Sequence, residues 1–257
     1  MRARSALPGA IAGTITAILT AGLGAPAAQA VPAPPAPAPA VTVGPGSAIS
    51  IAKKENPDGT VDASRCTLGF IAVRPDGSRV GLIAGHCGTT GQRIGVPAAG
   101  KPNTIREIGR VANSSNPPTR VNPDTGKRGP ADPSAPDWAV LEFRPNVTTT
   151  AGKGAVQPRS VGIARAGDRV CQQGVTTGWR CGVVIKADAR QIATDIASRQ
   201  GDSGGPLIRL SDGAALGIVS SILTGDPAVA RTYYWTVSDS LARAGGLTLA
   251  TVGPARI

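Results

Sequence analysis

Apolar residues in this chain come in short runs separated by clusters of glycine, proline, asparagine and aspartate, with no sustained helical period. From Thr67 the pattern is that of β-strands. Leu68 to Val73 and Arg79 to Ala84 flank a polar stretch in which Pro75 and Gly77 are turn residues, and together they predict a hairpin. Gly91 to Arg110 predicts further short strands. Asn113 to Ser134, dense in proline, asparagine, aspartate and glycine, predicts a long surface loop. Asp137 to Phe143 is the next strand, and the polar Thr148 to Gln157 marks a boundary between two halves. In the second half, Arg169 to Gln173 and Trp179 to Lys186 predict a hairpin over Thr176-Thr177-Gly178. Pro206 to Leu210 and Ala214 to Leu223 pair around Ser211-Asp212-Gly213, and Arg231 to Val237 is the last strand. Ser238 is placed to cap a short helix through Leu241 and Ala244, stopped by Gly245-Gly246. No sequence repeat relates the halves.

Composition supports this reading. With 257 residues, 34 of them Gly and 23 Pro, and only 3% aromatic, the chain suits one large β unit or two packed barrels. The N-terminus is different. Residues 1–30 have a basic start (Arg2, Arg4), an apolar middle from Ile11 to Leu23 and a small-residue site at Ala28-Gln29-Ala30, the make-up of a cleaved secretory signal. An uncleaved anchor fits less well, since glycines break the stretch and it falls short of the roughly 20 residues of a full span. Residues 31–45 begin with a Pro/Ala tract that predicts an extended spacer, leaving 46–257 for the folded domain. No other segment could cross a membrane.

The four cysteines suit an oxidising compartment, and residues alone leave three pairings open. They form no CxxC pair, so a zinc site is not expected and no cofactor is implied. The formal charge is +11, from Lys and Arg that are scattered without a dense run or interleaved aromatics. That excludes a nucleic-acid stripe and leaves an anionic cell envelope as a surface the protein could approach.

The chemistry concentrates in Gly201-Asp202-Ser203-Gly204-Gly205-Pro206. Glycines on both sides of Ser203 permit backbone angles closed to other residues and let another backbone come near. A serine displayed on such a turn suits attack on a carbonyl, with the amides of Gly201 and Ser203 placed to hold the oxyanion. Together with Ala84-Gly85-His86-Cys87 upstream, this segment resembles the chymotrypsin-like serine proteases. The stretch from Cys171 to Gly182 (CQQGVTTGWRCG) is similar to their short bacterial, streptogrisin-like branch. The resemblance covers roughly residues 60 to 245.

What the resemblance implies is an all-β fold of two packed six-stranded antiparallel Greek-key barrels, with the active site between them and a short C-terminal helix. The first barrel would span about 60–148, the second about 157–237 and the helix about 238–246. It also implies disulfides Cys66–Cys87 and Cys171–Cys181. A serine hydroxyl needs a base, and His86, the only histidine, stands in the family's base context. Of Asp124, Asp132 and Asp137, the first two lie in the Pro/Gly-rich loop, whereas Asp137 opens an apolar strand and is the expected partner of His86. The order His86, Asp137, Ser203 is that of chymotrypsin rather than subtilisin or the α/β-hydrolases.

For substrate, the resemblance places Ala197 at the pocket floor and Ser220-Ser221-Ile222 on the strand that pairs with substrate backbone. Ile222 departs from the glycine of many relatives and narrows the pocket; Ala197 invites an apolar or small side chain. Gln172 replaces an arginine that in bacterial relatives pairs with the counterpart of Asp202, which makes Arg169 and Arg199 the candidate partners. The family's long pro-region has no counterpart between the spacer and Cys66, so folding without one is expected. The sum is a secreted, monomeric serine endopeptidase acting on peptides or proteins. The rivals are a catalytically inert member of the fold that binds an envelope component, and an esterase using the same triad.

Overall fold

The unbroken apolar runs are strands buried on both faces, and alternate residues feed different cores. The computed structural model describes residues 40–57, 60–98, 104–121, 128–132, 134–223 and 231–253. The chain divides into two units, Met1–Ala38 and Pro39–Ile257. The first, which carries the expected signal and most of the spacer, lies outside the described residues.

In the second unit the strands are β1 (Val41–Val43), β2 (Ala48–Glu55), β3 (Val61–Thr67), β4 (Phe70–Val73), β5 (Arg79–Ile83), β6 (Arg93–Pro97), β7 (Ile105–Ser114), β8 (Thr119–Val121), β9 (Arg128–Pro130) and β10 (Ala139–Phe143). They continue with β11 (Val147–Thr149), β12 (Ser160–Val161), β13 (Arg169–Gly174), β14 (Gly178–Ala187), β15 (Gln191–Thr194), β16 (Pro206–Arg209), β17 (Ala214–Leu223) and β18 (Arg231–Thr236). Helix α1 (Val237–Arg243) and β19 (Thr248–Leu249) follow.

Two sheets carry the fold. One runs β19-β4-β5-β10-β7-β6-β2-β3 and the other β12-β17-β16-β13-β14-β15-β18. In the second sheet β17 also pairs with β18, which closes β13 to β18 into a six-stranded barrel. The first sheet has eight strands and ends on β19 and β3, where a closed six-stranded barrel was expected.

Strand alternation sorts the side chains. Ile71, Ile83, Ala139 and Leu141 join Ile49, Ile51, Ile94 and Ile108 in the core of the first sheet. Their sequence neighbours Phe70, Ala72, Leu82 and Val140 face the other way, against Ile208, Ile218, Trp235 and Leu241 from the second sheet and α1. Leu207, Leu216 and Val219 turn into the closed barrel with Val170, Val184, Ile192 and Tyr234. The sheets meet closely enough to require glycine at position 69, where a Cβ would stand 2.6 Å from Gly204 O and 2.8 Å from Leu82 O.

Three expectations shift. Strands begin at Val41 rather than Thr67: β2 shows inward Ile49 and Ile51, but β3 is an edge strand whose mostly polar sequence, VDASRCT, hides it from a hydropathy reading. The loop expected over Asn113 to Ser134 holds the end of β7 and a two-stranded ribbon of β8 and β9. The helix starts at Val237 with Thr236, not Ser238, at its N-cap, and the Thr236 hydroxyl accepts no capping bond. It stops where expected, with Gly245 at φ +102° and Gly246 at φ +69°.

Both disulfides follow the family pattern. Cys66–Cys87 ties β3 to the turn after β5, and Cys171–Cys181 joins register partners on β13 and β14. Their loops span 21 and 10 residues. Removing either pair by Cys→Ser is expected to cost about 3 kcal/mol through restored chain entropy, read as a lower denaturation midpoint in urea.

Candidate active site

His86 lies on a single 3-10 turn, Gly85–Cys87, directly after β5. Gly85 makes room for the chain opposite, since a Cβ there would stand 2.4 Å from Ser115 Oγ and 2.8 Å from Trp138 O. Ser115 in turn pins the start of β10: its amide donates to Trp138 O at 2.9 Å, and Trp138 N donates to its hydroxyl at 3.0 Å. Asp137 is thereby held against the His86 turn. Its Oδ1 accepts from the His86 main-chain amide at 2.8 Å and its Oδ2 lies 2.8 Å from His86 Nδ1. With an acceptor-only carboxylate at Nδ1, the neutral ring carries its proton there and leaves Nε2 with a lone pair. The Asp137 side chain is fully buried and that of His86 is 8% exposed.

A third donor reaches the same carboxylate. Ser220 Oγ donates to Asp137 Oδ2 at 2.5 Å. The β17–β18 register shifts between Val219 and Ser221, so Ser220 occupies a bulge. A bulge re-aims one side chain out of the ladder, and here it carries the hydroxyl across to the first sheet. The sequence reading placed Ser220 only on the substrate strand. Its chemistry is that of a donor to Asp137, a role no local motif signals.

Ser203 stands on the turn between β15 and β16. Its carbonyl accepts from Thr67 N at 2.8 Å, and the Cys87 sulfur lies 3.9 Å from the same oxygen. Gly204, at φ +83°, lets the turn press onto the His86 segment: a Cβ there would meet Thr67 O at 2.5 Å and Ala84 N at 3.1 Å. Three separate segments thus meet: Asp137 bonds the His86 turn directly, and the Ser203 turn lies against the same segment through Thr67, Ala84 and Cys87. Among the described residues, neither Gly201 N nor Ser203 N donates to a protein acceptor.

Asp202 is fully buried, yet neither Arg169 nor the Arg199 guanidinium pairs with it. Its carboxylate accepts from Thr176 N (2.9 Å), Thr177 N (3.1 Å), Thr177 Oγ1 (2.8 Å) and the main-chain amide of Arg199 (2.8 Å). Four neutral donors satisfy the charge where a cation was expected. Gln172 is buried nearby, its amide oxygen accepting from Ser198 and Tyr234 while its Nε2 has no partner among the described residues. Burial pushes the Tyr234 phenol well above its ordinary range.

The remaining predicted residues separate. Beyond Val219, which pairs with the Gly204–Gly205 turn, β17 is held by β18 on one side only, so the edge at Ser220, Ser221 and Ile222 has no strand partner among the described residues. The Ser221 hydroxyl is buried without a partner there, and Ile222 is half-buried opposite Thr232. Ala197 is exposed and lines a different opening, with the hairpin residues Thr176, Thr177 and Arg180. Asp132 is the solvated turn residue expected of it, bonded to the Ser134 amide and hydroxyl, which lower its pKa. Asp124 lies outside the described residues.

Comparison with known proteins places the chain among similar sequences and folds. The family model described as Trypsin matches residues 82–242. Streptogrisin-C of Streptomyces griseus is 30% identical over 209 residues, which is 74% of this chain but 39% of streptogrisin-C. Among solved structures, protease A of Thermobifida fusca superposes with a TM-score of 0.58 at 23% identity, over 82% of this chain and 100% of that one. The chymotrypsin of Cellulomonas bogoriensis gives 0.56 at 26% identity with the same coverage.

The Asp202 network makes a direct prediction. Asp202→Asn turns an amide NH2 toward donors that need an acceptor, and should destabilise the fold by about 2–4 kcal/mol, measured as a lower urea midpoint with unchanged slope.

Proposed function

The chain belongs to the trypsin family, and from that premise we propose that it is a serine endopeptidase in which Ser203 is the nucleophile, His86 the general base and Asp137 the group that orients it. The observation that carries this reading is the two-point clamp of Asp137 on His86, through main-chain amide and Nδ1, beside the Ser203 turn. The clamp leaves Nε2 as the free proton acceptor of the only imidazole in the chain.

Ser203 Oγ attacks the carbonyl carbon of a peptide bond while His86 takes its proton. The oxyanion that forms is met by the amides of Gly201 and Ser203, both without protein acceptors among the described residues. His86, now an imidazolium held by buried Asp137, returns the proton to the leaving amine. Water, activated by the same ring, then releases the acyl group from Ser203. Ser220 keeps the Asp137 carboxylate fixed through the cycle.

The substrate lies extended along the open edge at Ser220 to Ile222, adding a strand to β17. Ile222 is paired with Thr232 across the β17–β18 ladder that backs this edge, and Thr232 is itself tied to Ile196 O and Ser198 Oγ. Their bulk favours a small or apolar residue before the scissile bond. The two disulfides and the signal-like N-terminus support an extracellular site of action.

A fluorophosphonate probe should label the wild-type protein and neither Ser203→Ala nor His86→Ala, and Ser203→Ala should lower kcat by about 10⁶-fold. Folded wild type that stays unlabelled would overturn the reading. For specificity, Ile222→Gly should raise kcat/KM on a substrate with Phe before the scissile bond, relative to Ala there, by about 10-fold or more.

A further inference from the structure

The opening that Ala197 lines is a cavity of about 300 Å³ bounded by Thr176, Thr177, Arg180, Asp195 and Arg199. Its chemistry is one-sided. The Thr176 hydroxyl donates to Gln200 O and that of Thr177 to Asp202, each at 2.8 Å, so both have spent their protons. Arg180 uses its Nε on Thr177 O at 3.1 Å and keeps its terminal N–H groups; Arg199 binds Asp202 through its main chain and leaves its guanidinium uncommitted among the described residues. Neither guanidinium has a carboxylate partner among the described residues. The one carboxylate in the lining, Asp195, accepts from Val183 N at 2.7 Å. Two guanidinium forks against one engaged carboxylate leave donors without acceptors and a surplus of positive charge. That is the demand an oxyanion meets, because its oxygens accept several N–H bonds at once.

The position gives such a ligand something to do. Arg180 belongs to β14 of the hairpin, whereas Arg199 belongs to the segment that leads into Gly201 and Ser203. The hairpin and that segment are already joined by the Asp202 carboxylate, and a Cβ on Gly201 would stand 2.3 Å from Thr176 Oγ1. We infer that this cavity binds an oxyanion of the carboxylate or phosphate class between Arg180 and Arg199, bracing the serine turn against the β13–β14 hairpin. The oxyanion can come from free solution or from an acidic side chain of a bound peptide; both present the same oxygens.

The test uses the full chain carrying Ser203→Ala, so that no outcome depends on turnover. In one arm inorganic phosphate is titrated at constant ionic strength against chloride, with the melting temperature as readout. In the other, binding of a blocked pentapeptide containing Glu is compared with its Gln counterpart. Phosphate should raise the melting temperature by about 3 °C near ten times its Kd. Arg180→Gln combined with Arg199→Gln, both exposed positions, should abolish that shift, whereas Arg159→Gln on another surface should leave it unchanged. Asp195→Asn keeps an acceptor for Val183 N and should tighten phosphate binding several-fold. Preference for the Glu peptide that is lost with the double substitution would identify substrate as the source; a phosphate response alone would identify a free anion. A shift equal in the wild-type and doubly substituted cavities, or no response in either arm, would overturn the inference. Because the readouts are stability and binding, a protein that cleaves nothing would refute the peptidase reading and still decide this one.

Discussion

A carboxylate taken out of water must be surrounded by donors, and this fold buries two beside its functional turn. Asp137 draws its donors from the His86 turn and from the bulge at Ser220, so satisfying one charge fixes the first sheet against the closed barrel. Asp202 draws its donors from the hairpin at Thr176 and Thr177 and from Arg199, and satisfying that second charge sets the path of the chain into Ser203. The geometry around Ser203 is largely what these two requirements leave open. Glycines at 85, 201 and 204 supply the room, and the carboxylates decide how it is filled.

Electrostatics and packing divide the labour. The layer of Phe70, Leu82, Ile218 and Trp235 brings the two sheets together without choosing a register to better than the fit of its side chains. The directional bonds to Asp137 choose it. Losing Ser220 Oγ would leave the packing layer intact and remove one of three constraints on the carboxylate.

Much of this was legible in the sequence, for physical reasons that differ residue by residue. The glycines around Ser203 and the isolated His86 announce themselves because few structural roles require them. The strands from Phe70 onward show as apolar runs because both faces are covered. Partners supplied by the main chain left no mark: every residue but proline has an N–H, so nothing in Thr176, Thr177 or Arg199 says that it serves Asp202, and an arginine side chain was the natural guess. Ser220 was placed on its strand, but its bond to Asp137 was not foreseen, because a bulge depends on pairing with β18 and not on local sequence. The polar edge strand β3 and the three-residue ribbon strands β8 and β9 carry too little hydrophobic signal to be read before their partners are known.

The short strand β19 sits on β4 at the end of the first sheet, with Thr248 opposite Val73 across 175 residues of chain. A ribosome makes β4 long before it makes β19, and it makes His86 and Asp137 before Ser203 and Ser220. A growing chain therefore holds the first sheet unfinished at one edge, with His86 and Asp137 made and Ser203 and Ser220 still to come. Such long-range closures are slow and are reached late in folding. The order of synthesis keeps Ser203 apart from His86 until most of the second sheet has been made.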